Sequence, residues 1–113
     1  ARVYAESPTT FLPSPGVISA FRLPEEQGGV RVETGYGQGC AVTSFYDPMV
    51  AKLVVHGTTR DDAVARMLDT LAVTEIGGIK TNIPAIQKAL RSSCFQSATM
   101  TVDAMLQVVR EQP

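Results

Sequence analysis

The sequence predicts a small α+β domain, in which an antiparallel sheet of barrel- or sandwich-like character carries two to three C-terminal helices. Three observations support this fold class. Short runs of alternating apolar and polar residues, separated by turn residues, fill the first half of the chain. After Gly57 the apolar residues change to a helical period. The length of 113 residues suits one domain, which we take as residues 1–113.

The first half of the chain should form short strands separated by turns. Leu12–Gly16 and Gly35–Gly39 are typical turn segments, because proline removes backbone donors and glycine accepts unusual backbone angles. In the last strand, Ala51, Leu53 and Val55 form a wholly apolar face that should be buried. The predicted strands are Arg2–Glu6, Val17–Leu23, Val30–Thr34, Cys40–Val42 and Val50–His56.

The second half should form helices that pack on this sheet. Thr59 is a suitable N-cap for a helix that runs to about Glu75. Its apolar stripe consists of Val64, Met67, Leu68 and Leu71. After a glycine pair, Ile79–Lys80 is a candidate short strand. Asn82 can cap a second helix with the stripe Ala85, Ile86, Ala89 and Leu90, and a third helix starts at Thr101 or Asp103.

Composition and charge exclude several classes of function. A net charge of −1 gives no reason to expect binding to nucleic acid or to an anionic membrane. The sequence shows no signal peptide and no apolar run long enough to span a bilayer. Cys40 and Cys94 match no metal or redox spacing, so we expect reduced thiols and no metal site. Because the chain opens on a strand without a start methionine, we expect it to be a piece of a longer protein.

The residues alone supply no complete active site. Gly35–Gly39 fails as a nucleotide loop, because Cys40 stands where a third glycine belongs and no helix follows. His56 is the only histidine, and a surface position at a strand end is its simplest interpretation. Arg31 and Glu33 share a strand face, where an exposed ion pair is the simplest interpretation.

Four motifs taken together point further. They are Arg2–Glu6, Phe11–Gly16, Tyr46–Leu53 and Gly78–Asn82. In this order and spacing they resemble the C-terminal domain of the biotin carboxylase component of biotin-dependent carboxylases, from Arg2 to about Thr101. The resemblance implies an ATP-grasp ligase that couples ATP and bicarbonate to carboxylation of biotin at its ureido nitrogen. Different motifs lean toward acyl-CoA, urea or pyruvate carboxylases, so the subfamily stays open.

The resemblance also implies a role for Arg31. The strand Val30–Glu33 is similar to the family strand whose arginine lines the active site. Arg31 is therefore the expected catalytic residue and the expected contact for biotin and bicarbonate. A guanidinium aimed at the ureido oxygen would stabilise the negative charge that develops there. Lysine lacks the planar fork of donors and should replace it poorly.

The resemblance implies partners as well. ATP and Mg²⁺ or Mn²⁺ would be bound by an upstream ATP-grasp domain, and biotin would arrive on a carrier domain. The isolated chain should then be inactive. A homodimer is expected, with His56 and Arg60 at the contact. The expected compartment is the cytoplasm, or the mitochondrial matrix in a eukaryote.

Two other functions compete with this one. A non-catalytic, β-rich subunit-association module would tolerate the loss of Arg31, whereas the enzyme domain would not. A biotinyl or lipoyl carrier would need its lysine at a hairpin tip, but Lys52 lies inside a strand pattern.

Overall fold

The chain forms a small α+β domain of antiparallel sheets and helices, as predicted. The structure is a computed structural model that describes residues 1–111. Within this range the strands are β1 (Arg2–Tyr4), β2 (Gly16–Val17), β3 (Ala20–Arg22), β4 (Val30–Glu33), β5 (Ala41–Val42), β6 (Met49–Val55) and β7 (Glu75–Gly77). The helices are α1 (Arg60–Ala72), α2 (Ile83–Arg91), α3 (Ser93–Gln96) and α4 (Val102–Arg110). The pairings β1–β6, β4–β6, β2–β5 and β3–β7 are all antiparallel.

The main sheet has the strand order β1-β6-β4, so β6 lies in the middle. One face of β6 is apolar and buried, as predicted: Ala51 and Leu53 are inaccessible, and Val55 is half-buried. Val3 of β1 pairs with Ala51, and Val32 of β4 pairs with Leu53, which extends this apolar face across the sheet. The helices pack against the same core. The opposite face carries the charged side chains of the sheet, although Val50 on that face is also buried.

The predicted strand Val17–Leu23 is wrong as a single element. The chain forms β2, which pairs with β5, and then β3, which pairs with β7. The partner changes at Ile18 and Ser19. The Ile18 amide donates to the Cys40 carbonyl at 2.9 Å, and the Ser19 amide donates to the Gly77 carbonyl at 2.9 Å. Alternation within one segment cannot reveal this exchange of partners, because it depends on residues far along the chain.

The first helix is shorter than predicted. Thr59 caps α1 by accepting a hydrogen bond from the Asp62 amide, as expected, but the helix ends at Ala72. Glu75–Gly77, predicted as helix end and turn, is strand β7, which pairs with β3. Ile79–Lys80 lies outside the strands. The apolar stripe does not continue past Leu71, because its next positions are Thr74, Glu75 and Gly78, and the pairing with β3 then sets the structure of this segment.

The later helices agree better with the sequence. Thr101, and not Asp103, caps α4 by accepting from the Ala104 amide. The short helix α3 is additional to the two or three that were predicted. The stripes face the core, although Leu68 and Ile86 are only half-buried. The buried stripe residues are Val64, Met67, Leu71, Ala85, Ala89 and Leu90.

Candidate functional site

The second face of the main sheet collects the charged side chains. We call it the polar sheet face and define it by Arg2, Arg31, Glu33, Lys52 and Val54. Arg2 and Glu33 are both register partners of Lys52, and Arg31 is the partner of Val54. Because directly opposed residues of antiparallel strands point to the same side, these five side chains share one face. Sequence alternation places Arg31 beside Glu33, whereas the positions of Arg2 and Lys52 follow only from the register.

Glu33 joins two of the cations on this face. Its Oε1 lies 3.2 Å from Arg31 Nε, and its Oε2 lies 2.6 Å from Lys52 Nζ. The ion pair expected between Arg31 and Glu33 is therefore present. The Arg31 side chain is still 63% exposed, so its guanidinium is accessible from solvent. The arrangement can offer hydrogen-bond donors to an anion that approaches from the open side.

The pKa of Glu33 lies below its ordinary value. The hydrogen bond from Lys52 is the largest cause, followed by the charge of Lys52 and then that of Arg31. Because the folded pKa is depressed, these ion pairs stabilise the fold fully above the unfolded pKa of about 4.3. Their contribution is lost as the pH falls through the folded pKa. The group is exposed to solvent, so salt should weaken the effect.

Lys52→Met is expected to raise the pKa of Glu33 toward that of an ordinary glutamate, because the main donor to the carboxylate is removed. The change can be followed by NMR titration of the Glu33 side-chain carboxyl carbon. Arg22→Met is the matched control, since the partner of Arg22 is Glu75 at 3.6 Å. An unaltered Glu33 pKa in Lys52→Met would contradict the assigned cause.

Arg2 occupies the other edge of the polar sheet face. Its side chain makes no ion pair or hydrogen bond with any residue in the range 1–111, in contrast to Arg31. The backbone around it is held by Asn82, whose side chain contacts both Arg2 and Tyr4. The sequence motif Arg2–Glu6 contains this arginine, but alternation alone gives no reason to prefer it as a site residue.

A concave region lies beside Glu33 and Lys52. Its volume is about 350 Å³, and it is bounded by the turn after β4 and by the first half of β6. The Thr34 hydroxyl donates to the Val50 carbonyl at 2.7 Å and fixes this turn over the sheet. In the adjacent loop, Phe45 is 86% exposed. The recess next to Glu33 and Lys52 is therefore lined only by the turn after β4 and by β6, and its other side is open to solvent.

His56 and Arg60 lie apart from this recess, at the end of β6 and the start of α1. His56 is exposed, and its amide donates to the Gly29 carbonyl at 2.8 Å. Arg60 turns toward α3, where its Nη2 donates to the Phe95 carbonyl at 2.8 Å. Its guanidinium also stacks over the Phe95 ring, 4.8 Å from the centroid. Both residues remain candidates for a contact surface.

The residues that the structure describes do not fit ATP or a divalent cation. They contain no cluster of three or more His, Cys, Asp or Glu side chains that could hold a metal. The Asp62 carboxylate accepts a hydrogen bond from the Thr58 hydroxyl, and the Asp62 amide donates to the Thr59 hydroxyl at 3.1 Å, so Asp62 serves the helix start. Gly35–Gly39 is a turn that leads into β5, not a loop that opens a helix. No described helix is long and apolar enough to cross a bilayer.

Comparison with known proteins gives consistent matches. The family model of the biotin carboxylase C-terminal domain matches residues 1–107. The chain is 49% identical over 100 residues to the biotin carboxylase of Halalkalibacterium halodurans, covering 88% of this chain and 22% of that protein. It is 46% identical over 89 residues to the mitochondrial methylcrotonoyl-CoA carboxylase subunit alpha of Arabidopsis thaliana, covering 78% of this chain and 12% of that protein.

A solved structure matches as well. It is the biotin carboxylase domain dimer of the 2-oxoglutarate carboxylase from Hydrogenobacter thermophilus, in complex with MgADP, ADP and bicarbonate. The TM-score is 0.92 at 32% identity, and the match covers 100% of this chain and 25% of that one. The chain therefore spans about a quarter or less of the length of each of these proteins.

Proposed function

Since the chain belongs to the family of biotin carboxylase C-terminal domains, we propose that it completes the active site of a longer, ATP-dependent biotin carboxylase. The observation that carries this proposal is the polar sheet face, where the exposed Arg31 guanidinium pairs with Glu33, which lines an open recess together with Lys52. An open recess with cations and no described metal or nucleotide site suits a domain that covers reactants held by a neighbouring domain. We propose residues 1–113 as this one domain.

In this proposal Arg31 stabilises charge during transfer of the carboxyl group. When the ureido nitrogen of biotin loses its proton and attacks, negative charge collects on the ureido oxygen. A guanidinium placed at that oxygen stabilises the charge where it develops. The same fork can hold bicarbonate with two parallel hydrogen bonds. Glu33 is paired with Arg31 through Nε at 3.2 Å, and the Arg31 side chain remains largely exposed to solvent.

Arg2 is a second candidate for the same role. It lies on the same face as Arg31, and its guanidinium makes no ion pair within the described part of the chain. An anion that binds Arg2 therefore competes with no internal carboxylate, whereas one that binds Arg31 competes with Glu33. The two candidates share one chemistry and differ in which edge of the sheet meets the reactants.

The remaining components belong to partners in this proposal. An upstream ATP-grasp domain would bind ATP with Mg²⁺ or Mn²⁺, and a carrier domain would deliver biotin. The 113-residue chain alone should be inactive. The arginines of its polar sheet face are exposed, so water competes with a bound anion for the guanidinium and the interaction is weak. We propose the cytoplasm or the mitochondrial matrix as the compartment.

The assay for the function is release of phosphate from ATP by the intact protein, dependent on both bicarbonate and biotin.

We also propose that this domain contributes to a homodimer through the surface around His56 and Arg60. The dimer of the related thermophilic biotin carboxylase domain supports association as an added function of the fold. In a two-fold interface each patch meets its own copy, so one substitution acts twice. A subunit-association role alone would leave the arginines of the polar sheet face dispensable.

Arg60→Glu is expected to weaken the dimer of the intact protein, because it reverses a charge at the contact and removes the contact with Phe95. Sedimentation velocity at micromolar concentration is the measurement, with circular dichroism to show that the variant is folded. Arg91→Glu is the matched control, since it makes the same charge change at an exposed helical arginine. A folded Arg60→Glu variant with an unchanged dimer would count against this surface.

A further inference from the structure

Asn82 has an unusual use for a residue at the start of a helix. A side chain at this position ordinarily accepts a hydrogen bond from the first turn, but the Asn82 side chain makes no such bond to α2. It is directed to β1 instead. Asn82 Oδ1 accepts from the Tyr4 amide at 2.8 Å, and Nδ2 donates to the Arg2 carbonyl at 3.1 Å. The Asn82 amide adds a third bond, to the Tyr4 carbonyl at 3.2 Å.

These bonds take the place of a neighbouring strand. β1 is an edge strand of the main sheet. Ala1, just before β1, both donates a hydrogen bond to Leu53 of β6 and accepts one from it. In an antiparallel ladder, main-chain groups point alternately toward and away from the partner strand. The main-chain groups of Arg2 and Tyr4 therefore point away from β6, to the outer side of the sheet. An edge strand normally leaves such groups to water. Asn82 is only 9% exposed and occupies this outer side with its main chain and its side chain together.

The consequence concerns the position of Arg2. β1 has only three residues, and its register with β6 shifts between Val3 and Tyr4, so pairing with β6 alone defines it weakly. Asn82 fixes the carbonyl of Arg2 and both main-chain groups of Tyr4 from the opposite side. We propose that Asn82 is a positioning residue, which holds the Arg2 guanidinium at a defined place on the polar sheet face. This inference rests on the proposed role of Arg2 in the active site.

The test is a double-mutant cycle in the intact enzyme, with phosphate release dependent on bicarbonate and biotin as the assay. Arg2→Ala should lower kcat about a hundredfold. Asn82→Ala should lower kcat about tenfold with an unchanged KM for ATP, because a small displacement of a charge-stabilising group is costly. If Asn82 acts through Arg2, the double variant should be no slower than Arg2→Ala alone. A multiplicative loss in the double variant would overturn the inference.

Two further variants separate positioning from folding. Asn82→Ser places another residue favoured at helix starts before α2 but is too short to bridge Arg2 and Tyr4, so it should remain folded and still lose activity. Thr101→Ala removes the cap of α4, where the Thr101 hydroxyl accepts from the Ala104 amide at 3.1 Å, and should leave kcat unchanged. Full activity in Asn82→Ser, with Arg2→Ala impaired, would overturn the positioning role alone. Full activity in Arg2→Ala would instead remove the Arg2 role in the proposed function, and this inference with it.

Discussion

Arg31→Ala in the intact protein is expected to slow carboxylation of biotin roughly a hundredfold or more, while ATP binding stays nearly unchanged. Removing one group that stabilises a developing oxyanion typically costs about 3 kcal/mol in the transition state. ATP binding should be spared, because the described residues of this chain hold no phosphate loop or metal cluster. The measurements are phosphate release dependent on bicarbonate and biotin, and ATP affinity by calorimetry.

Arg31→Lys is the informative companion variant. It retains the charge but loses the planar fork, so it should recover little of the activity if two parallel hydrogen bonds are required. Glu33 lies 3.2 Å from Arg31 Nε, so a lysine at this position can still form an ion pair with Glu33. A nearly normal rate in both Arg31 variants would contradict the catalytic role of this residue.

The same assay on Arg2→Ala decides between the two arginines. The two residues lie on one face, separated by β6, so a reactant at either edge of the sheet meets one of them first. A large loss in Arg2→Ala with a normal Arg31→Ala would move the role to Arg2. Normal rates in both would favour the subunit-association function over the enzymatic one.

Gly78→Ala is expected to destabilise the domain by about 2 kcal/mol or more. Gly78 has φ +87°, a backbone conformation that alanine adopts at a cost. A methyl group there would also overlap the Val17 carbonyl oxygen and lie 2.8 Å from the Ser19 amide nitrogen. The close approach occurs where the chain passes from β2 to β3, so relief of the clash would disturb both pairings.

Thermal unfolding measures this effect, and the midpoint should fall by roughly 8 °C or more for a domain of this size. Gly37→Ala is the matched control. A methyl group at Gly37 meets no atom of the described chain within 4 Å, and its backbone angle is ordinary. Its midpoint should stay close to that of the parent. Equal midpoints for the two variants would show that the close contact between Gly78 and Val17 does not control the stability of the domain.

Local features of the fold could be predicted from the sequence. The cap at Thr59, the alternation of β4 and the apolar face of β6 each depend on residues within a few positions of one another, and the structure confirms them. The division of Val17–Leu23 and the strand Glu75–Gly77 could not be predicted in this way. Both arise from pairing between distant segments, which the pattern within one segment does not reveal.

In the candidate site, too, the features that depend on nearby residues could be predicted, and those that depend on distant residues could not. Alternation within one strand brings Arg31 and Glu33 together, so their ion pair could be anticipated. The placement of Lys52 and Arg2 on the same face as Arg31 and Glu33 depends on the register of three strands, which local alternation does not determine. The use of Asn82 could be anticipated only in part, because its place before a helix predicts a cap, whereas its side chain serves a strand far away in the sequence.

The strand order of the main sheet also sets the sequence of events when the chain folds. The contacts between the β4 region and β6 close short loops, as between Thr34 and Val50, which are 16 positions apart. The contacts between β1 and β6 close a much longer loop, as between Ala1 and Leu53, which are 52 positions apart. Since longer loops lose more entropy on closure, β4 and β6 should pair first and β1 should dock last. Until β1 docks, one edge of the central strand is open to other chains, so dilute conditions should favour refolding of the domain.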